Sequence, residues 1–192
     1  MKNVLLIVTV LFFGAFTSAQ NSFQNKTVKI LPKSKLKITG DTNIKSFDCV
    51  FDMKFLQKEY PIEYITDEPN HVRFKNAVLG LNTKGFDCGN GPINSDFHKL
   101  IQSEKYPHIL IELLEIRRQQ EGSANAVVNI TIAETRKEHT FPVEFSKGEV
   151  SNISGILMLD IKDFKLEPPK KLFGMIVVKD DIEINFNLKV KK

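Results

Sequence analysis

A regular alternation of apolar and polar residues runs through most of this chain and restricts it to a β-rich fold. The odd positions from Phe47 to Phe55 and the even positions from Ala124 to Ile132 are nearly all apolar. The final segment has the cleanest alternation, carried by Ile182, Ile184, Phe186, Leu188 and Val190. A period of two predicts strands with one face in a core and the other in water.

About eight or nine such strands follow one another at regular spacing, joined mostly by short polar turns. This pattern predicts an all-β fold, either an antiparallel up-and-down barrel or a sandwich. A barrel of about eight strands is just wide enough to be filled by side chains or to hold one small ligand.

One stretch, from Phe86 to Ile111, departs from the strand pattern. Asn94 or Ser95 can cap a helix here, and Pro107 ends helical geometry before the next strand. The apolar residues of this helix share one face at i, i+3 and i+4, namely Phe97, Leu100 and Ile101. A single short helix in an all-β chain is expected to close a barrel end. Its apolar face then acts either as a lid or as an ordinary docking face.

Residues 1–19 have the composition of a cleaved export signal. Lys2 precedes a continuous apolar run from Val4 to Phe16, and small residues follow up to Ala19. The run is too short to cross a hydrocarbon core of about 30 Å as a helix, so no stable membrane anchor is expected after cleavage. We predict a periplasmic or secreted protein whose residues 20–192 form a single domain.

The two cysteines, Cys49 and Cys88, form an even pair in a chain predicted to be exported. In an oxidising compartment such a pair is expected to form a disulfide, the alternative being two buried thiols. Neither cysteine has a histidine or second cysteine at metal-ligand spacing, so no metal site is predicted.

Charge and histidine placement argue against two further classes of function. The net charge of +4 comes from lysines scattered along the chain, and there is no tryptophan, so a nucleic-acid groove is not expected. The four histidines, His71, His98, His108 and His139, fit no metal or catalytic motif. No nucleophile stands beside a base at a meaningful spacing, so no catalytic residue is assigned and the chain is not expected to be an enzyme.

Three positions predict local breaks in the strands. Pro32 divides the first apolar segment into two short strands or one bent edge strand. The apolar parity shifts near Asn76, which indicates a bulge. Pro142 indicates an edge position or the start of a strand.

Several segments, taken in order, resemble the YceI-like family of exported, lipocalin-like proteins, some of which bind polyisoprenoids. The similarity runs from about Thr27 to the C-terminus. It is carried by residues 38–44, 76–85, 96–100, 104–109, 127–132 with Thr135, and 161–164. The chain departs from the family pattern at Lys45, where many relatives carry histidine, and at Lys165, where glycine is common.

The resemblance implies a lipocalin-like barrel that holds a long apolar chain, such as an isoprenoid quinone or a polyprenyl lipid, with no required cofactor. Each methylene moved from water into an apolar tunnel gains about 0.8 kcal/mol, so such binding needs no catalytic group. The candidate ligand-binding residues are Phe51, Phe74, Phe97, Leu100, Ile111, Leu113, Val128, Ile130, Phe145, Leu159, Ile184 and Phe186. Each of them could equally be an ordinary packed core residue.

Two other functions stay open at this point. The barrel could be fully packed and bind another exported protein through its outer face, or, least favoured, the chain could be a lipid-modifying enzyme. The sequence leaves the oligomeric state open, a dimer included.

Overall fold

Twelve antiparallel strands and one α-helix make up the part of the chain described in this computed structural model, residues 22–57, 59–168 and 177–191. The strands are β1 Gln24–Ile30, β2 Lys35–Thr42, β3 Ser46–Phe51, β4 Tyr60–Glu68, β5 His71–Lys75, β6 Val78–Asn82, β7 Phe86–Asp87, β8 His108–Gln120, β9 Ser123–Ile132, β10 Thr135–Phe145, β11 Val150–Asp160 and β12 Val178–Lys191. The helix α1 spans Gly91–Leu100, and short 3-10 helices span Met53–Phe55, Thr83–Gly85 and Ile161–Phe164. The predicted export signal lies outside the described residues.

Eight of the strands form a closed ring, in the order β1, β4, β5, β8, β9, β10, β11 and β12. The ring closes where β1 pairs with β12, with Lys29 opposite Lys191 and Ile30 opposite Val190. The predicted all-β barrel of about eight strands with one short helix is therefore confirmed. Closure leaves the ring without the free edges of an open sheet.

The chain has twelve strand segments for eight ring positions. Two ring positions are each occupied by two short strands in succession, and β3 and β7 extend from β2 outside the ring. β1 and β2 lie one after the other along the same edge of β12, and β5 and β6 do so along β8. Pro32 lies in the turn between β1 and β2, as the sequence predicts. Asn76 lies between β5 and β6 with φ 59°, so the predicted bulge is a full break in the strand.

β10 and β11 pair over a short stretch only, from Val143 to Phe145 on the β10 side. Pro142 comes directly before this stretch and has no N–H to donate, so the ladder with β11 ends there. Beyond this point the chain leaving β11 forms the 3-10 helix at 161–164. That helix places the ring of Phe164, which is only 2% exposed, against His139 of β10 with 5.9 Å between ring centres.

Apolar side chains fill the barrel as two clusters. The upper cluster, on the side of α1, has as its buried members Leu36, Ile38, Cys49, Phe51, Leu81, Phe86, Cys88, Ile101, Ile109, Val128, Ile130, Ile132, Leu157, Leu159, Ile161, Phe164 and Leu166. The lower cluster is built on Ala124, Ala126 and Val143, against which Ile116, Phe145 and Ile153 pack. Leu113, Phe141 and Phe186 pack against both clusters and mark the boundary between them.

Candidate functional site

An apolar cavity lies inside the upper half of the barrel, between α1 and the surrounding strands. Its empty space amounts to about 830 Å³, including its opening to solvent. It is lined by Leu36, Ile38, Gly40, Phe47, Cys49, Leu81, Phe86, Phe97, Leu100, Ile101, Ile109, Ile111, Ile130, Ile132, Ile161, Leu166, Val178, Ile182 and Ile184.

All of these described lining residues are apolar, which determines what the cavity can hold. A buried water needs two to four polar partners, and apolar cavities of comparable kind stay dry and bind apolar molecules. The single sulfur group in the wall, Cys49, is engaged in a disulfide and does not titrate. The lining residues that the structure describes therefore carry neither a nucleophile nor a general base.

Helix α1 is held over the cavity by hydrogen bonds at its start. The N-cap is Asn90, whose side chain accepts a hydrogen bond from the N–H of Ile93 at 3.0 Å. The predicted caps are wrong because Asn94 has another role: its Oδ1 accepts from the N–H of Cys88 at 2.6 Å and its Nδ2 donates to Asp87 at 3.0 Å. These bonds fix the turn that leads into the helix.

The predicted disulfide between Cys49 and Cys88 is confirmed. The register of β3 with β7 places these residues directly opposite each other, and their Cα atoms are 3.9 Å apart. Cys49 is fully buried in the cavity wall, and Cys88 comes three residues before α1 begins. The bond therefore ties the start of the helix to the barrel wall.

Two of the inward phenylalanine rings in this half occupy space that a side chain on a nearby glycine would fill. A Cβ on Gly40 would lie 2.5 Å from Cζ of Phe47, and one on Gly85 would lie 2.6 Å from Cε2 of Phe51. Real Cβ atoms do not approach a ring carbon this closely, so each ring depends on its glycine. Glycine in a strand often marks such a close approach.

The predicted ligand-binding residues fall into three groups in the structure. Five of them line the cavity: Phe97, Leu100, Ile111, Ile130 and Ile184. Five others pack in or against the upper cluster without lining the cavity: Phe51, Leu113, Val128, Leu159 and Phe186. The last two lie lower in the barrel or apart, with Phe145 in the lower cluster and Phe74 against Tyr64, at 6.5 Å between ring centres.

Sequence reasoning missed several lining residues, and the signal for some of them was present. Leu36 and Ile38 alternate in β2, and Ile182 alternates in β12, so their inward direction was readable. Ile161 and Leu166 gave no such signal because they lie in and after a 3-10 turn, which has no period of two.

Three buried side-chain atoms of the described residues have no hydrogen-bond partner: Tyr60 Oη, His98 Nδ1 and His139 Nε2. None of these residues lines the cavity. Burial lowers the pKa of His139, an effect opposed by Asp163 and reinforced by Lys137. Burial also raises the pKa of the Tyr60 hydroxyl.

No group of three or more histidine, cysteine, aspartate or glutamate side chains is placed to hold a metal ion among the described residues. No helix within residues 22–57, 59–168 and 177–191 is long and apolar enough to cross a membrane.

A closed ring of eight antiparallel strands with an apolar cavity under a single helix defines a lipocalin-like barrel. The sequence pattern of the YceI-like domain matches residues 12–190, and the chain belongs to the YceI-like family. The resemblance drawn from the sequence segments is thereby confirmed.

Solved structures of low sequence identity share the fold. BcnA of Burkholderia cenocepacia is 18% identical with a TM-score of 0.64, over 83% of this chain and 97% of that one. A polyisoprenoid-binding domain from Saccharophagus degradans, implicated in plant cell wall breakdown, is 9% identical with a TM-score of 0.61, over 85% and 97%. The YCEI protein of Campylobacter jejuni is 14% identical with a TM-score of 0.54, over 100% and 99%. None of the curated proteins matches this chain.

Proposed function

We propose that this protein binds an apolar, isoprenoid-like lipid, such as a quinone or a polyprenyl lipid, in the cavity of its barrel. The observation that carries the proposal is the entirely apolar lining of a cavity open enough to take part of a chain. Burying a chain there gains about 0.8 kcal/mol per methylene without any polar contact. One structural neighbour, described as a polyisoprenoid-binding domain, supports the same ligand class.

We also propose that the protein works in the periplasm or is secreted. The disulfide between Cys49 and Cys88 fits an oxidising compartment. The export signal predicted over residues 1–19 is the second support. N-terminal sequencing of the mature protein tests it, with a chain beginning at Gln20 expected and a chain that retains Met1 contradicting export by cleavage.

A binding role is favoured over lipid modification because the described lining residues offer no group that could attack a bond or move a proton. It is favoured over a fully packed interaction module because the upper half of the barrel contains empty space. The ligand is therefore expected to leave the protein chemically unchanged.

The first experiment is mass spectrometry of an organic extract of the protein, purified from its native host without detergent. A stoichiometric isoprenoid is the expected result. An empty extract, together with no binding of added short-chain ubiquinone or polyprenyl phosphate, contradicts the proposal.

A matched pair of variants tests whether the cavity is the binding site. Ile184→Phe adds ring atoms to the cavity wall, whereas Ile156→Phe makes the same change on the outer face of the neighbouring strand, where Ile156 is 51% exposed. Isothermal titration with a short-chain ubiquinone should show binding at least tenfold weaker for Ile184→Phe and unchanged for Ile156→Phe. Equal affinities for both variants would place the ligand elsewhere.

A further inference from the structure

The cavity stops part of the way down the barrel, at the same level on strands from opposite sides. On β8 it is lined by Ile109 and Ile111 but not by the next inward residue, Leu113. On β12 it is lined by Ile182 and Ile184 but not by Phe186. The lower half of the barrel is filled by the lower cluster.

Two phenylalanine rings meet at this level. Phe141 of β10 and Phe186 of β12 contact edge to face, with 6.0 Å between ring centres and 84° between ring planes. Edge-to-face packing of this kind is a favoured aromatic geometry. Both rings pack against the upper and the lower cluster, so they separate the cavity above from the packed side chains below.

The contact spans a strand, because β11 lies between β10 and β12 in the ring. Gly155 of β11 is the register partner of both Val143 and Phe186. A Cβ at this position would lie 2.9 Å from Cζ of Phe186 and 3.1 Å from the carbonyl oxygen of Pro142. Glycine at 155 therefore lets the ring of Phe186 lie across β11 and reach Phe141.

Below the two rings the barrel continues with apolar side chains, among them Ala126, Val143 and Phe145. Small residues at 124 and 126 belong to this cluster. Removing one of the two rings would thus extend the cavity into further apolar surroundings, which an apolar chain could fill.

The depth of the cavity can be worked out along β2, because the pairing of β12 with β2 is irregular between Val178 and Ile182. From Thr42, the partner of the lining residue Val178, to Leu36, the lowest lining residue of β2 and the partner of Phe186, there are six residue steps. At a rise of about 3.3 Å per residue and a strand tilt of about 40°, this is a depth of roughly 15 Å. An isoprene unit adds four carbon–carbon bonds of about 1.5 Å, roughly 5 Å of extended length.

The geometry points to the pair Phe141 and Phe186, with Gly155 beneath it, as the floor of the cavity and the element that limits the length of the bound chain. This inference rests on the proposed lipid-binding function. It sets the ligand class more narrowly: the barrel encloses about three isoprene units, and any longer chain extends out of it.

The test measures binding of ubiquinones with one to six isoprene units to the full mature protein by isothermal titration. In the wild type, affinity should rise at least tenfold per unit up to about three units and then change less than twofold. In Phe186→Ala the rise should continue, so that the four-unit quinone binds at least tenfold more tightly than to the wild type.

Phe145→Ala is the matched control, because it removes the same ring from below the floor and should keep the wild-type length limit. Phe141→Leu is a milder second variant, which replaces the other ring of the floor by a smaller side chain and should also shift the length limit. It serves as the test if Phe186→Ala does not fold. If the length limit is unchanged in Phe186→Ala and Phe141→Leu, or if wild-type affinity keeps rising up to six units, the inference about the floor is wrong while the proposed lipid binding stands. If no quinone binds at any length, the proposed function fails as well.

Discussion

Removing the disulfide should weaken the fold by an amount that the position of the bond determines. Cys49 and Cys88 are 39 residues apart in sequence, so the bond closes a long loop in the unfolded chain. In the chain-entropy relation, a loop of this length corresponds to about 4 kcal/mol at 25 °C. For a domain of this size that loss should lower the melting temperature by roughly 8–16 °C, since 1 kcal/mol shifts it by about 2–4 °C.

The perturbation is the double substitution Cys49→Ala with Cys88→Ala, which avoids placing hydroxyl groups in the buried wall. The free energy of unfolding is measured by urea titration followed by circular dichroism. Besides the lower midpoint, the dependence of the free energy on urea should steepen, because the unlinked chain exposes more surface when unfolded.

Wild-type protein kept reduced is the control, since it loses the cross-link but keeps both sulfur atoms. Its free energy of unfolding should agree with that of the double variant to within about 1 kcal/mol, because the two alanines remove only two sulfur atoms from the packed wall. The reasoning is refuted if reduced and oxidised wild type are equally stable, or if the double variant loses less than about 1 kcal/mol.

Three further changes concern the weakly paired region between β10 and β11. Phe164→Ala should lower the free energy of unfolding by about 3–5 kcal/mol, because it empties a fully packed site. Stability should fall as the pH drops below 6.5, because burial lowers the pKa of folded His139 and the unfolded chain then binds the proton more readily. His139→Phe should flatten this dependence. Lys165→Gly should stabilise by up to about 1 kcal/mol, because Lys165 has φ 57° and a left-handed conformation costs a side chain about 1–2 kcal/mol. Urea titrations at fixed pH values measure all three.

Each of these has its own check. Phe23→Ala, at a ring that is 41% exposed, should cost far less than Phe164→Ala, and similar losses would contradict the packing argument. An identical pH profile for His139→Phe would mean that another group causes the acid sensitivity. Lys165→Ala keeps a Cβ and should bring no gain; an equal gain from alanine would show that the backbone conformation is not the cause.

The barrel was predictable because alternation is a property of each strand alone. The period of two shows which side chains of a strand face inward, so Ile111, Ile130 and Ile184 could be assigned to the interior from the sequence. The strand break near Asn76 was readable from a shift in the apolar parity, and the one near Pro32 from the proline itself.

The extent of the cavity was not predictable in the same way. Alternation gives the face of a residue but not its height in the barrel, so Ile184 and Phe186 look alike although only Ile184 lines the cavity. Height depends on register between strands distant in sequence. The prediction of the N-cap of α1 failed for a related reason. Asn90 and Asn94 are both able to cap a helix, and only the fold shows that Asn94 bonds to Cys88 and Asp87.

The pairing of phenylalanine rings with glycines has a consequence for how this sequence can change over generations. Gly40 is the register partner of Phe47, and Gly155 is that of Phe186. A mutation that enlarges either glycine is harmful while its ring remains, and becomes acceptable once the ring has been replaced by a smaller side chain. Substitutions at 155 and 186, and at 40 and 47, should therefore be inherited in pairs, and an alignment of relatives should show each pair as correlated columns.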